Sequence, residues 1–572
     1  MFLFCGVITF YLTAAFSVKR ETFRKIIYAL TGAATVSAAY AVMQFAGLDF
    51  IWPRSVDPYG QRSISTFGNP NFLSSFLVIS IFLIIGHIYT AGKKVKNTPS
   101  IWYMMLLINI AGLAITMTRS SYLGLAAGLV IAGCYLIKNT GKKVKKPLVI
   151  FVILIISVGG IFSLASRQFR ERAVSFFSVE KMGKALTQRL MIWEASFNMF
   201  KDTPAIGRGW GNFEIFYPLY QGRIVEKENY RNLRTHANNA HNMLLELLTQ
   251  AGILGTGLYI FLIVVFVKFS FSVFSKAEEK DKIWVVVFFA AAVSFWVDNL
   301  LNVSLFFPMP AIAFWVNMGL LAGLGRKVTG TKDIKFNIGK FYTPLLLLIV
   351  FFAAGVVYFN AVYFFSSVHF FNGFKYSRQG RLIAAERELE KAHSLYSLNV
   401  DNNYELGNVY ARLAVSGPED NLEKAVWAYN EALQANPGYD EIYFNLGIMY
   451  LKAGRTDMAL ENLRETIKIN PLAEGAYRTL GDIMIREDEL SRAASYYIRT
   501  LRIDPGSEAA VNNLRYLASL PRNPDVSAKL NELFSEASGC INEKDWQGAM
   551  EITGEILAID PVNMQALLYA GN

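Results

Sequence analysis

Two halves of the chain differ in hydrophobic patterning. Up to about residue 366, long apolar runs alternate with short polar or basic connections. Runs approaching or exceeding the roughly 20 residues of a bilayer span lie near 2–18, 26–48, 71–91, 101–118, 121–137 and 147–165. Four more lie near 243–267, 283–303, 308–325 and 341–366. Any one of them could be a buried core helix. The whole series predicts a mostly α, polytopic transmembrane bundle of about 10 spans over residues 1–366, with a large loop at 166–242. From 375 to 572 the apolar residues recur at amphipathic helical spacing among charged ones, which predicts a soluble array of packed helices.

The connections orient the bundle. Lys19, Arg20, Arg24 and Lys25 follow the first run, Lys93, Lys94 and Lys96 the third, and Lys138 to Lys146 the fifth. Lys268, Lys276, Lys280 and Lys282 follow the seventh, and Arg326, Lys327, Lys332, Lys335 and Lys340 the ninth. Basic connections face the cytoplasm, so 49–70, 119–120, 166–242, 304–307 and everything beyond 366 are expected outside. The first run starts at Met1 without a basic flank or cleavage site. It resembles an internal helix more than a signal peptide, and the sequence is expected to begin downstream of a longer chain's start.

The second half repeats. Asn436-Pro437, Asn470-Pro471 and Asp504-Pro505 are spaced by 34 residues, and Asp560-Pro561 follows 56 further on. Ala425, Ala459, Ala493 and Ala549 each precede a proline by 12 residues, while Leu446-Gly447 and Leu480-Gly481 share the 34-residue period. Small residues let paired helices cross closely and the proline stops the second helix. This is the tetratricopeptide pattern, strong over 439–506 and weaker on both sides, with 375–400 as an incomplete first repeat. Such an array offers a surface to a protein or peptide partner, or serves as a spacer or clamp. His393 stands alone and is read as structural.

Composition agrees with two physical objects in one chain. Hydrophobic residues make up 53% and charged residues 18% of 572, with mean hydropathy +0.29. A soluble domain would carry about 25% charged residues, so an ordinary soluble enzyme is excluded. The net charge of +11 comes from the connections of the first half, since the repeats are acidic. A nucleic-acid binder would gather its positive charge on one soluble face. Cys5, Cys134 and Cys540 are too few and too scattered for a disulfide framework or a thiolate metal site.

Candidate chemistry collects on the expected outer side. Arg54 and Arg62 lie at 49–70, followed by "STFGNPNF" with Asn69. Arg119 sits in "TMTRSSYLG" between two apolar runs. A guanidinium there could merely anchor a helix at the interface, but its fork also suits phosphate oxygens. Arg189 and Arg208 add positive charge in the large loop. Several arginines on one side suggest an anionic substrate. His241-Asn242 opens the seventh run, where a helix start disfavours the charged imidazole and a neutral base is available. The alternative is an interfacial histidine with Asn242 as a capping neighbour. His236 lies five residues earlier, but a two-histidine zinc site lacks a well-spaced third ligand. The "GRGWG" run follows no strand of a nucleotide-binding unit, so its glycines are read as allowing a tight turn or close backbone approach.

Taken in order, "FGNPNF" (67–72), "TRSSYLG" (118–124), "RLMIW" (189–193), "IGRGWGNF" (206–213) and "AHNMLLELLTQAGILG" (240–255) resemble the O-antigen ligase and polymerase family of bacterial envelope glycan enzymes. The resemblance covers roughly 50–325. It implies a metal-independent, inverting glycosyl transfer that needs no cofactor, outside the bacterial cytoplasmic (inner) membrane. The donor would be a glycan on undecaprenyl diphosphate, and the acceptor lipid A-core, another lipid-linked glycan or a protein hydroxyl. Arg119 and Arg189 match the family's arginines and would contact the diphosphate. His241 matches the histidine that would activate the acceptor. Arg62, Asn69, Arg208, His236 and Asn242 are further candidates for substrate or diphosphate contact. The family usually shows serine before that arginine and glycine after it, where this chain has Thr118 and Ser120. It also places nine spans before the large loop, where this chain shows about six.

A ligase is the leading expectation and a polymerase of the same family the alternative. A transporter would favour ionisable groups near the midplane. A non-catalytic scaffold presenting its repeats would tolerate replacement of Arg119, Arg189 and His241.

Overall fold

A computed structural model describes residues 2–51, 59, 62–92, 100–140, 179–227, 229–230, 233, 235–330, 342–415, 420–519, 524–542 and 545–559. Arg54, the apolar run 147–165, the lysines at 93–96, 142–146 and 332–340, and Asp560-Pro561 lie outside the described residues. The described residues are helical, without a sheet, and divide into two units. The first comprises Met1–Phe213 and Ala237–Asn337, and the second Glu214–His236 and Ile338–Asn572.

In the first unit the helices are α1 (Phe2–Phe16), α2 (Arg20–Phe45), α3 (Pro70–Gly92), α4 (Ser100–Thr116), α5 (Arg119–Thr140) and α6 (Val179–Asp202). Helix α7 (Phe213–Gly222) starts at the unit boundary and belongs to the second unit from Glu214 on, while α8 (Met243–Lys276), α9 (Glu279–Asn299) and α10 (Pro308–Thr329) complete the first. The expectation of about ten spans is corrected. Among the described residues, five helices are long and apolar enough to cross a membrane: Arg20–Phe45, Pro70–Ala91, Met243–Lys276, Pro308–Thr329 and Thr343–Arg378. Apolar runs overcount spans because they ignore where a helix stops and what charges it carries. Cys5–Phe16 and Ser100–Thr116 are too short, and α9 opens on Glu279, Lys280, Asp281 and Lys282 and ends beside Asp298. Several such helices make this a multi-pass membrane protein.

The core of this unit joins α3, α5, α9 and α10 through buried residues such as Leu77, Phe82, Phe288, Phe295 and Phe314. Small residues set the α5–α9 approach. A Cβ added at Gly124 would lie 2.4 Å from the Ser294 carbonyl oxygen, and one at Gly128 would lie 2.8 Å from the Ala290 carbonyl oxygen, a close backbone crossing of the kind favoured between membrane helices.

The second unit begins with α11 (Tyr342–Arg378), followed by α12 (Leu382–Leu395), α13 (Val400–Leu413), α14 (Asp420–Ala435), α15 (Asp440–Lys452) and α16 (Thr456–Ile469). Then come α17 (Glu474–Arg486), α18 (Leu490–Ile503), α19 (Glu508–Ser519), α20 (Pro524–Asn542) and α21 (Trp546–Ile559). At 37 residues α11 is about 55 Å long, more than a bilayer needs. Its last turns belong to the repeats: Ser366 Oγ donates to the Ala392 carbonyl at 2.9 Å, and His369 Nδ1 lies 2.8 Å from Glu388 Oε2. The membrane helix and the first repeat helix are one element, which is why 375–400 reads as incomplete. Further along, Ala425, Ala459 and Ala493 are fully buried at helix crossings, while α14, α16 and α18 each end two residues before a repeat proline.

Candidate functional site

Helix α5 starts at Arg119, just after a turn that Arg62 holds. Arg62 Nε donates to the Thr116 carbonyl at 2.8 Å, and Nη2 donates to Asn71 Oδ1 at 2.8 Å and Thr118 Oγ1 at 3.0 Å. Asn69 in turn caps α3, its Oδ1 accepting from the Asn71 N–H at 2.8 Å. Met117, ahead of Arg119, has φ 50°, so the turn closes through a left-handed residue. A cation at the first residue of a helix opposes the helix dipole. Arg119 therefore adds its charge to the positive end of α5.

Under this turn lies a buried polar network that sequence reading missed. Ser121 Oγ donates to Asp298 Oδ1 at 2.9 Å and lies 2.8 Å from Ser74 Oγ. Ser75 Oγ also donates to Asp298 and lies 2.7 Å from Ser304 Oγ. Asp298 is fully buried. An acid inside an apolar helix was the available signal.

Arg189 comes from α6, an amphipathic helix that buries Met191, Ile192, Ala195 and Met199. Burial, then the charge of Arg119, pushes the Arg189 guanidinium pKa down. Arg189 in turn acts on His241. That imidazole is lowered to about 4, first by burial and then by the Arg189 charge. The structure thus places Arg189 within electrostatic reach of both Arg119 and His241 in one unit, although 122 residues separate Arg119 from His241. At neutral pH His241 is an uncharged imidazole beside the Arg189 cation.

The turn carrying His241 is pinned from three sides. His241 has φ 48°, a left-handed conformation costing about 1–2 kcal/mol for a residue with a Cβ. Trp193 Nε1, one helical turn beyond Arg189 on α6, donates to the Ala240 carbonyl at 3.0 Å. The Ala240 N–H donates to the Glu246 carboxyl on α8, and the His241 N–H donates to Asn239 Oδ1 at 3.0 Å. Asn242 caps α8 by accepting from Leu244 and Leu245, and its Nδ2 donates to the Leu300 carbonyl at 3.0 Å beyond α9. Trp193 and Glu246 fell within the quoted motifs but were not singled out.

The glycines of 206–213 approach a helix backbone. Inside α8, Gly252 breaks the helix at φ 62°, and the freed groups bond the loop. Arg208 N–H donates to the Thr249 carbonyl at 2.8 Å, Gly209 N–H to that of Gln250 at 3.0 Å, and Ile253 N–H to that of Pro204 at 2.8 Å. Gly207 has φ 69°, and a Cβ there would lie 2.4 Å from the Gln250 carbonyl carbon. The Arg208 side chain reaches Asp202 Oδ2 at 3.4 Å.

His236 belongs to the second unit. Its Nε2 lies 2.7 Å from Glu441 Oε1 and its ring stacks on Tyr439. Among the described residues, a group that could hold a metal ion is His236 with Asp440 and Glu441, whose donor atoms lie within 4.8 Å of one another. Asp440 is already engaged there, accepting from Asn470 Nδ2 at 2.9 Å.

The long apolar helices, the arginine–histidine constellation and the helical repeats define a multi-pass membrane protein with a polar site in its first unit and a repeat array in its second. Residues 104–260 match the family model described as O-Antigen ligase, and residues 428–461 that described as Tetratricopeptide repeat. The chain carries an O-antigen ligase-like domain fused to a C-terminal tetratricopeptide region. It is 24% identical over 319 residues to a General O-oligosaccharyltransferase of Acinetobacter baylyi, covering 54% of this chain and 51% of the relative. To a ComP-specific O-oligosaccharyltransferase of the same organism it is 26% identical over 290 residues, covering 50% and 46%. The chain thus spans about half the length of the curated relatives it matches. A solved structure titled "Crystal structure of MamA protein" is similar at 18% identity over 36% of this chain and 87% of that one, with a TM-score of 0.25, too low to bear on the fold. The protein is related to a family of glycan-transfer enzymes.

Proposed function

We propose that this protein is a membrane glycosyltransferase that moves a glycan from undecaprenyl diphosphate to an acceptor hydroxyl on the outer side of the bacterial cytoplasmic membrane. The observation that carries this reading is the convergence of Arg119, Arg189 and a neutral His241. Two arginines that repel one another are stabilised by a diphosphate between them, and the same charge stabilises the leaving group as it develops. In an inverting step the acceptor oxygen attacks the anomeric carbon. The bond from that carbon to the phosphate oxygen breaks, undecaprenyl diphosphate leaves with the electron pair, and His241 takes the acceptor proton. An imidazole near pH 4 is a weak base. A bound diphosphate offsets the Arg189 charge and raises it toward a useful value. Arg62 and Asn69 would serve by shaping the Arg119 turn, and Asn242 by capping the helix behind His241. The names of the two relatives, both O-oligosaccharyltransferases, favour transfer to a hydroxyl oxygen, with a protein and lipid A-core as the two ligase acceptors.

The test is transfer by the purified protein in lipid, given undecaprenyl diphosphate-linked oligosaccharide with a protein, lipid A-core or more lipid-linked glycan. Product on protein or lipid A-core, lost in Arg119→Ala, Arg189→Ala and His241→Ala variants that insert normally, supports the reading. Product only on lipid-linked glycan would make the protein a polymerase. Retained transfer in all three variants would sink the mechanism.

A further inference from the structure

The repeats already hold an occupant, and it is this chain's own. Residues Glu214–His236 leave the first unit and fold with the second. Tyr217, Tyr220, Ile224 and Val225 of this segment are buried. Backbone meets backbone at two successive repeat turns. A Cβ added at Gly438, after Asn436-Pro437, would lie 2.1 Å from the Ile215 carbonyl oxygen, and one at Gly222 would lie 2.3 Å from the Ile469 carbonyl oxygen, before Asn470-Pro471. These contacts are 7 residues apart in the segment and about one 34-residue repeat apart in the array. Seven helical residues of α7 span about 10 Å, comparable with one helix-packing distance, so the segment is in step with the repeat period.

Two side-chain contacts extend the docking in both directions. Glu226 pairs with Arg499 of α18, and Arg499 is itself held by the Pro471 carbonyl at 3.3 Å and over the Tyr477 ring. At the other end His236 bonds Glu441 and stacks on Tyr439, its ring centroid 5.3 Å away and its plane within 8°. The Glu214 carboxyl is pushed up by burial and by Asp401 of α13, with His236 opposing. Three repeat helices and two repeat turns therefore share one short segment.

We infer that the ligand of the tetratricopeptide array is the chain's own segment Glu214–His236, so that the array is held by this chain and is not an exchangeable receptor for a peptide partner.

The experiment uses the full chain in lipid, with Glu226→Arg, Arg499→Glu, the double charge swap, and His236→Ala. Hydrogen exchange reads docking. Each single charge variant should raise amide exchange in 214–227 at least tenfold, and the swap should restore it. Unchanged exchange in the single variants and in His236→Ala would overturn the docking. Displacement of the wild-type segment by an acceptor protein would also overturn it, because the array would then be an exchangeable receptor.

Discussion

Replacing Arg189 by glutamine tests the electrostatics of the site without removing His241. The imidazole is lowered from 6.5 to about 4, a preference for the neutral form of ~3 kcal/mol. Burial is the larger cause and the Arg189 charge the second. The Arg189→Gln variant should therefore raise the His241 pKa by about half a unit to one unit and leave it below 6.5. Histidine-selective carbon-13 NMR suits this chain, which has 5 histidines, and His241→Gln identifies the resonance. The same shift has a stability signature. The unfolded histidine takes its proton near 6.5 and the folded one near 4, so between those values the unfolded state binds more protons. Stability then falls as pH falls across that window, by up to ~3 kcal/mol. Removing Arg189 shrinks the loss, and His241→Gln abolishes it. An imidazole pKa that stays put or drops in Arg189→Gln would refute the reasoning.

Other perturbations address the scaffold. Asn242→Ala removes the cap of α8 and should cost about 1 kcal/mol, read as a lower thermal midpoint in detergent, with reduced transfer because the cap adjoins His241. Trp193→Phe leaves the Ala240 carbonyl without its indole donor. A loss of about 1 kcal/mol of turn stability should appear as a two- to tenfold fall in kcat at unchanged donor KM, roughly the range such an energy spans. Gly207→Ala places a Cβ against the Gln250 backbone at a positive φ, so it should destabilise the loop by about 2 kcal/mol or more. Limited proteolysis at 203–212 checks that, and a cleavage rate equal to wild type would remove the role given to the loop–helix contact.

Legibility in the sequence followed the kind of signal. The repeats could be read because one residue type at one spacing has one physical role: Ala425, Ala459 and Ala493 sit at crossings where no larger side chain fits. The spans were overcounted because an apolar run says nothing of helix ends, as the 17-residue Ser100–Thr116 shows. Arg119, Arg189 and His241 could be found individually as charges out of place. Their mutual influence depends on how α5, α6 and the turn before α8 pack, which no local spacing encodes. Asp298 and Glu246 each interrupt an apolar stretch of helix with an acid, and what each one bonds depends on helix packing that the stretch itself does not encode. His236 looked like a neighbour of His241 by sequence distance, yet the chain passes from one unit to the other just after it.

The three central groups are unfavourable as a set and are held by what surrounds them. Arg119 opposes the dipole of the helix it begins, Arg189 is half-buried within its influence, and His241 occupies a left-handed conformation. Arg62 and Asn69 fix the first through the turn, the buried apolar face of α6 fixes the second, and Trp193, Glu246 and Asn242 fix the third. Such a site is poised against its own charge, so a polyanion relieves it more than a neutral ligand of equal size. That asymmetry separates the transferase reading from a passive scaffold. Inorganic pyrophosphate should raise the thermal midpoint of the wild-type protein well above what equal ionic strength of chloride does. The gain should shrink in Arg119→Gln and Arg189→Gln, and an equal gain in all three proteins would place the anion elsewhere.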